Sequence, residues 1–386
     1  MTDTPRGVES AFTRAEYEVR VVQVREGLAE RGLDCAVFTG PENIFYLTGQ
    51  QTPGYYTFQC LILPVRGEPL FLLRQLELTN FLRNSFLEQY ETYGDGVTPA
   101  GLLVAVLGRM GLSGQRVGIE KGGWFLPIGF YEALAVALPR IEDATGIVER
   151  LRRVKSPAEI AALEESGRQA DAGIVAGLGA IRVGASENDV VAAMMHAAIA
   201  AGAEYMGMEP LVSSGPRSGV PHATWRRRRL ENGDAVFLEM SGCFNRYHTG
   251  LMRTGWLGEP PALARELEAV VQGALGAVLE RVRPGVTCAE AHQAAQRVID
   301  DAGMTERYRK RTGYSLGVSF APDWGEWQVL SLFDGIDVPL EPGMCFHVPT
   351  ALREYGVFTV GLSESIVVTE TGCRILGSVP RRIHVV

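Results

Sequence analysis

The sequence predicts an α/β domain over residues 1–152 followed by an α+β domain over residues 153–386, and three observations predict that division. In the first third, short β-prone runs lie between Gly and Pro, with helical stretches between the later ones. Ser156-Pro157-Ala158-Glu159 is a capping box with proline at the first helical position, so a new long helix starts at about residue 157. Beyond it, IRVGASENDVVAAMMHAAIAAG (181–202) and VRPGVTCAEAHQAAQRVIDDAG (282–303) form a weak internal repeat, 101 residues apart. Each copy has a cap (Ser186 or Thr287), an acid three residues later (Asp189 or Glu290), an Ala-rich helix and an Ala-Gly stop.

Taken in order, residues 15–32 place Val19, Val22, Val24 and Leu28 at roughly helical spacing and stop at Gly32, which predicts an amphipathic helix. DCAVFTG, CLILPV and EPLFLLR predict strands, and residues 100–111 a helix. Each copy of the repeat is followed by a glycine-punctuated β-type stretch, MEPLVSSGPRSG or RTGYSLGVSF. The second domain therefore reads as two α+β halves wrapped around one sheet, with a central cleft where both halves can supply residues.

Composition narrows the function classes. With 46% hydrophobic and 21% charged residues among 386, the chain is an ordinary globular one. No apolar run approaches the roughly 18 residues of a membrane helix. The N-terminus is charged where an export signal needs an apolar stretch, which makes the cytoplasm the expected location. The six cysteines (Cys35, Cys60, Cys243, Cys288, Cys345, Cys373) form no CxxC pair, so neither a cysteine zinc site nor a disulfide framework is expected. A net charge of −8, with Arg226 to Arg229 as the one basic cluster, leaves no footprint for nucleic acid.

Chemistry concentrates in the second domain. DAVFLEMSG alternates Val236, Leu238 and Met240 with Phe237, Glu239 and Ser241, which puts an acid mid-strand where it needs a partner or a ligand. Arg253 is the structural partner that would make Glu239 a mere ion pair. VPHATW places His222 in a loop, where a histidine can be a proton carrier or a packed side chain. RTGYSLGVSFAPDWGEW offers Tyr314, Asp323, Trp324 and Glu326 among glycines, which suits a lidded pocket and also suits ordinary turns. GMCFHVP adds Phe346 and His347, the latter either a hydrogen-bonded core histidine or a functional one, and VGLSESIVV adds Glu364. Walker, Rossmann, HExxH and GxSxG patterns are absent in the contexts that would give them meaning.

The ordered segments RVKSPAEI, SSGPRSGVPHAT, LENGDAVFLEMSG, RYHTGLMRT, RTGYSLG, LEPGMCFHV and ESIVVTETG resemble the pita-bread superfamily of prolidase, aminopeptidase P, methionine aminopeptidase and creatinase. The resemblance covers the whole second domain and implies a pita-bread catalytic domain behind a creatinase-type N-terminal domain. Peptidases of this superfamily hold two divalent metals with two Asp, one His and two Glu. The matching positions here are Glu239, Gly250, Tyr314, Pro349 and Glu364. Two carboxylates do not fix a dinuclear site, so no metal and no other cofactor is expected.

Within the superfamily, FLEMSGCFNRYHTGLMRT, RTGYSLGVSFAPDWGE and EPGMCFH resemble the ectoine hydrolases, whereas creatinases carry a glutamate where Met252 stands. This implies opening of a small cyclic amidine, with Glu239 and His222 catalytic. Tyr314, Glu364, Trp324, Asp323, Glu326, Phe346 and His347 would line the pocket, and Arg253 or a partner-chain residue would take a substrate carboxylate. It also implies a homodimer whose N-terminal domain, through residues 48–59 and Tyr55, closes over the partner's cleft. An Xaa-Pro peptidase, a creatinase-like hydrolase and a non-catalytic binding homologue are the alternatives.

Overall fold

The computed structural model describes residues 8–386 and divides into two compact units at Arg152–Arg153. In the first unit, β1 (Cys35–Phe38), β2 (Cys60–Pro64), β3 (Leu70–Arg74), β4 (Tyr90–Tyr93), β5 (Val117–Ile119) and β6 (Ile141–Asp143) form a mixed sheet in the order β4-β3-β2-β1-β5-β6. Alternation along the strands feeds two cores. Ala36, Phe38, Leu61 and Leu63 face helices α1 (Arg14–Glu30), α2 (Pro41–Thr48), α3 (Leu78–Asn84) and α6 (Ile147–Arg152). Cys35, Val37, Cys60 and Ile62 face α4 (Pro99–Arg109) and α5 (Ile128–Ala137).

The buried stripe of α1 is Tyr17, Arg20, Val24, Gly27 and Leu28, while Val19 and Val22 are exposed. The valines suggested a wider apolar face than the helix has. Arg20 takes a place in the stripe because its guanidinium stacks over the Phe12 and Tyr46 rings and donates to the Tyr46 carbonyl.

Among the described residues of this unit, one acid is buried. Glu120 accepts from the backbone N–H groups of Thr39 and Gly40, the latter at 2.8 Å, and from the Asn43 amide. The start of α2, which has no side-chain cap of its own, is thereby capped from a distant segment. Burial, followed by the charge of Glu149, pushes the Glu120 carboxyl up to about 7.

The second unit opens with α7 (Pro157–Ala180), begun by the Ser156–Glu159 capping box. The repeat helices α8 (Glu187–Ala200) and α10 (Cys288–Asp301) carry capping boxes at Ser186–Asp189 and Thr287–Glu290. With α9 (Ala262–Arg281) they make two helix pairs, α7/α8 and α9/α10. The first pair packs through Ile174, Val190 and Met194 on Val236, Leu238 and Met240 of β8 (Ala235–Phe244). The second packs through Leu267, Val271 and Ala291 on Phe346 and Val348 of β12 (Cys345–Glu354) and on Leu362 and Ile366 of β13 (Phe358–Val368).

The sheet is not single. Strands β7 (Leu211–Ser214), β8, β9 (Tyr247–Trp256) and β15 (His384–Val385) form one backbone ladder, ordered β15-β9-β8-β7. Strands β10 (Gly313–Ser315), β11 (Ser331–Leu332), β12, β13 and β14 (Cys373–Ile375) form a second, ordered β11-β10-β12-β13-β14. Side-chain hydroxyls on β9 and β13 join the two. Met252 N–H donates to Ser363 Oγ at 2.7 Å, Ser365 Oγ–H to the Gly250 carbonyl at 2.7 Å, and Gly361 N–H to Thr254 Oγ1 at 2.9 Å. Gly361 permits this approach, since a β-carbon there would sit 2.5 Å from Met252 Sδ. Among the described residues, no helix is long and apolar enough to cross a membrane.

Candidate active site

Glu239 lies on the face of β8 that turns away from the helices. Its register partners are Leu211 and Met252, and these pack with Phe237, Trp324 and Ala351 in a small apolar cluster. Among the described residues, Glu239 makes no hydrogen bond and no ion pair. Burial raises its pKa, Lys310 and then Arg353 pull it back, and Asp323 raises it again. An acid in an apolar patch with open lone pairs is arranged to meet something that is not part of the chain.

Beside it runs a line of hydrogen bonds. Tyr314, paired with His347 across β10 and β12, places its hydroxyl 2.8 Å from His347 Nδ1 and accepts from Trp324 Nε1–H at 3.0 Å. His347 Nε2 lies 2.8 Å from Ser363 Oγ, which also accepts from Met252 N–H. Burial, reinforced by the charges of Lys310 and Arg253, holds His347 down to about 3, so the ring is neutral and has one donor and one acceptor.

Proton direction follows from the ends of this line. Trp324 and Met252 can only donate, so one hydroxyl gives its proton to the ring and the other is left with a proton to place. Ser363 is fully buried and, among the described residues, has no further acceptor, whereas Tyr314 is partly exposed. Ser363 therefore donates to His347, His347 to Tyr314, and Tyr314 presents its O–H outward. Burial, then the nearby Glu239 charge, keeps the phenol well above its usual pKa and hence protonated.

His222 occupies the exposed loop after the turn Gly215–Gly219, with φ of 56°, a conformation uncommon for non-glycine residues. Partial burial first, then the positive charges of Arg353 and Lys310, hold its pKa below the ordinary histidine value; Asp323 opposes them. It is a neutral proton acceptor near pH 7. Asp323 accepts through Oδ1 from the backbone of Trp324 at 2.7 Å and of Gly325 at 3.0 Å, and burial raises its pKa.

Glu239, Tyr314, His347, Trp324 and Asp323 are thus brought together, His222 is linked to them through the charges of Arg353, Lys310 and Asp323, and five other predicted residues are engaged elsewhere. Arg253 and Glu364 are buried and paired at 2.9 Å. The remaining Arg253 donors go to the carbonyls of Met252, Ser363, Val379 and Pro380, so it has none left for a substrate. Glu364 gives Oε1 to Arg253, while its Oε2 is buried with no hydrogen-bond partner. Glu326 is buried against Lys155 at 3.0 Å, a pair that also engages Ser315 and anchors the start of this unit. Phe346 points to the opposite face of β12 from His347, into the core under α9 and α10. Tyr55 lies in the first unit, edge-on to Phe125.

Sequence reading missed Lys310, Arg353 and Ser363. The alternation His347, Pro349, Ala351, Arg353 along β12 places Arg353 on the His347 face, and Arg309-Lys310-Arg311 stands just before the Tyr314 strand. Both signals were readable once His347 and Tyr314 were suspected.

Two matches cover most of the chain. Residues 20–154 match the Creatinase/Prolidase N-terminal domain, and residues 161–370 match Metallopeptidase family M24. The chain belongs to family M24, with the pita-bread fold, and its relatives are hydrolases. Ectoine hydrolase of Halomonas elongata is 30% identical, the match covering 98% of this chain and 99% of that protein. A probable dipeptidase PepE of Mycobacterium bovis is 29% identical over 97% of this chain and 98% of its own. Among solved structures, dipeptidase PepE from Mycobacterium ulcerans superposes with a TM-score of 0.84 at 28% identity over 97% of this chain and 99% of that one. Prolidase from Pyrococcus horikoshii gives 0.84 at 22% identity over 94% and 99%, a likeness of fold.

A metallopeptidase family implies a metal centre, and the residues present do not fit one. Of the five matching positions, Gly250 and Pro349 offer no donor, Tyr314 is a neutral phenol, and Glu364 is tied to Arg253. The space a side chain at 250 would need is taken, because a β-carbon there would lie 3.0 Å from His347 Cε1 and Nδ1. Glu239 and the buried Oε2 of Glu364 are open, and among the described residues no three His, Cys, Asp or Glu side chains gather to hold an ion.

Proposed function

We propose that this chain is a metal-independent hydrolase of a C–N bond in a small cationic amidine, with ectoine or a close analogue as substrate. The observation that carries the reading is Glu239, an acid without a partner beside the neutral Tyr314–His347–Ser363 line. A neutral amide needs a Lewis acid or a strong oxyanion site to become electrophilic, whereas an amidinium carbon already bears positive charge. Full-length similarity to an ectoine hydrolase supports the same substrate class.

In this reading the amidinium docks on Glu239, and its charge offsets the desolvation that raises the carboxyl's pKa, keeping Glu239 ionised. Glu239 attacks the amidine carbon or activates the water that does. The Tyr314 O–H stabilises the nitrogen or oxygen on which charge collects. His222 carries the proton released by water to the departing nitrogen. The C–N bond breaks, the water oxygen becomes the acetyl carbonyl, and ectoine gives N-acetyl-diaminobutyrate. The active form is a homodimer, with Tyr55 and residues 48–59 of one chain near the partner's cleft.

Mass-spectrometric assay of ectoine, creatine and Xaa-Pro dipeptides, before and after exhaustive chelation, tests the proposal. Ectoine turnover that survives chelation is expected. Proline release that disappears on chelation and returns with added divalent metal would establish a peptidase instead.

A further inference from the structure

Lys310 and Arg353 stand in this site without a counter-ion of their own. Neither makes an ion pair among the described residues, while Arg217, Arg228, Arg253 and Arg307 in the same unit each hold a carboxylate. Arg353 Nε is buried with no hydrogen-bond partner. The residue projects from the His347 and Ala351 face of β12, and Ala351 packs with Trp324, Phe237 and Met252 around Glu239. The turn before His222 rests on the tip of the same hairpin. Thr359 Oγ1–H donates to the Ser218 carbonyl at 2.6 Å, and Gly356 N–H to the Gly219 carbonyl at 3.1 Å. Lys310 lies in the segment just before the Tyr314 strand. Both cations act on Glu239 and on His222.

Two like charges brought together out of water are costly unless an anion completes them. Among the described residues, the one acid near enough to do so is Glu239, whose charge the proposed reaction assigns to the substrate's cation. Once an amidinium takes that charge, the two cations need another partner. We propose that Lys310 and Arg353 form an anion subsite of the cleft that takes a carboxylate carried by the substrate. The ligand class is then a compact zwitterion, its cationic carbon on Glu239 and its carboxylate on the pair. This inference rests on the amidine reading for the cation and on the cleft's own residues for the anion. It replaces Arg253, whose donors are spent.

Matched pairs test it on the full-length protein: ectoine and its carboxamide, creatine and its carboxamide, Gly-Pro and Gly-Pro amide, each titrated by calorimetry. The wild type should bind the carboxylate member of at least one pair about tenfold or more tighter than its amide, the scale of a charge-assisted hydrogen bond. Lys310→Met and Arg353→Met, checked for native melting, should each lose most of that ratio, and Arg353→Lys should recover part of it. The wild-type ratios decide even if a variant misfolds. No carboxylate preference in any pair, or a preference undiminished in both folded methionine variants, overturns the subsite. A preference confined to the Gly-Pro pair upholds the subsite and defeats the amidine reading.

Discussion

Glu120 and Glu239 are both acids whose pKa is raised first by burial, one in each unit, and they differ in what surrounds their oxygens. Around Glu120, two backbone N–H groups and an amide fill the lone pairs and hold the entry to α2. Among the described residues no donor reaches Glu239, and its neighbours in register are Leu211 and Met252. A perturbed carboxyl is thus not by itself a mark of chemistry. What separates a fastener from a reagent is whether the carboxyl is already saturated.

The comparison breaks most readily at Glu239. Glu239→Gln keeps the shape and removes the charge, so kcat should fall by on the order of 10²-fold or more. His222→Ala should cost a comparable factor, and the double variant little beyond the larger single loss, because the two act as a unit. Steady-state assay of the three variants checks this, and near-wild-type turnover in either single variant would place the chemistry elsewhere.

At Glu120 the effect belongs to stability. Glu120→Ala strands the buried Thr39 N–H and the part-buried Gly40 N–H and should lower unfolding free energy by about 2–4 kcal/mol, with kcat per folded molecule retained. The sign of its pH dependence follows from a folded pKa of about 7 against 4.5 for the free carboxyl. Between those values the folded state holds a proton that the unfolded state has lost. The contribution from proton binding is therefore complete below 4.5 and is lost as pH rises through 7. Denaturant titrations at pH 5 and pH 8 should show the variant's deficit shrinking at the higher pH, and a growing deficit would reverse the assignment.

Tyr314→Phe removes the outward O–H, together with the oxygen that accepts from Trp324 and His347, and sharpens the contrast from the other side. A loss of roughly tenfold in kcat with KM little changed is expected for one neutral donor that acts as charge develops. A change confined to KM would make Tyr314 a wall of the pocket.

Strand positions, capping boxes and the alternation around Glu239 were legible in the sequence because they depend on neighbours a few residues away. The division of charged residues between structure and cleft was not. Glu364 and Glu326 look as reactive as Glu239 in one dimension, but Arg253 and Lys155 reach them from 111 and 171 residues away. Lys310 and Arg353 escaped notice for the converse reason, since a missing partner leaves no trace in a string of letters. Phe346 was assigned to the pocket although its own alternation with His347 sends it to the opposite face.

The closeness of Gly250 to His347 bears on how such a site can change over generations. An aspartate cannot return to position 250 until the imidazole yields, because its β-carbon alone would meet the ring at 3.0 Å. The imidazole is held from both ends by Tyr314 and Ser363, so the phenol and the glycine constrain one another through a third residue. Any side chain added at 250 makes the imidazole give by a few tenths of an ångström, and so acts on its bonds to Tyr314 and Ser363. The glycine and the phenol, which the resemblance sets at an aspartate and a histidine position, are thereby coupled through His347.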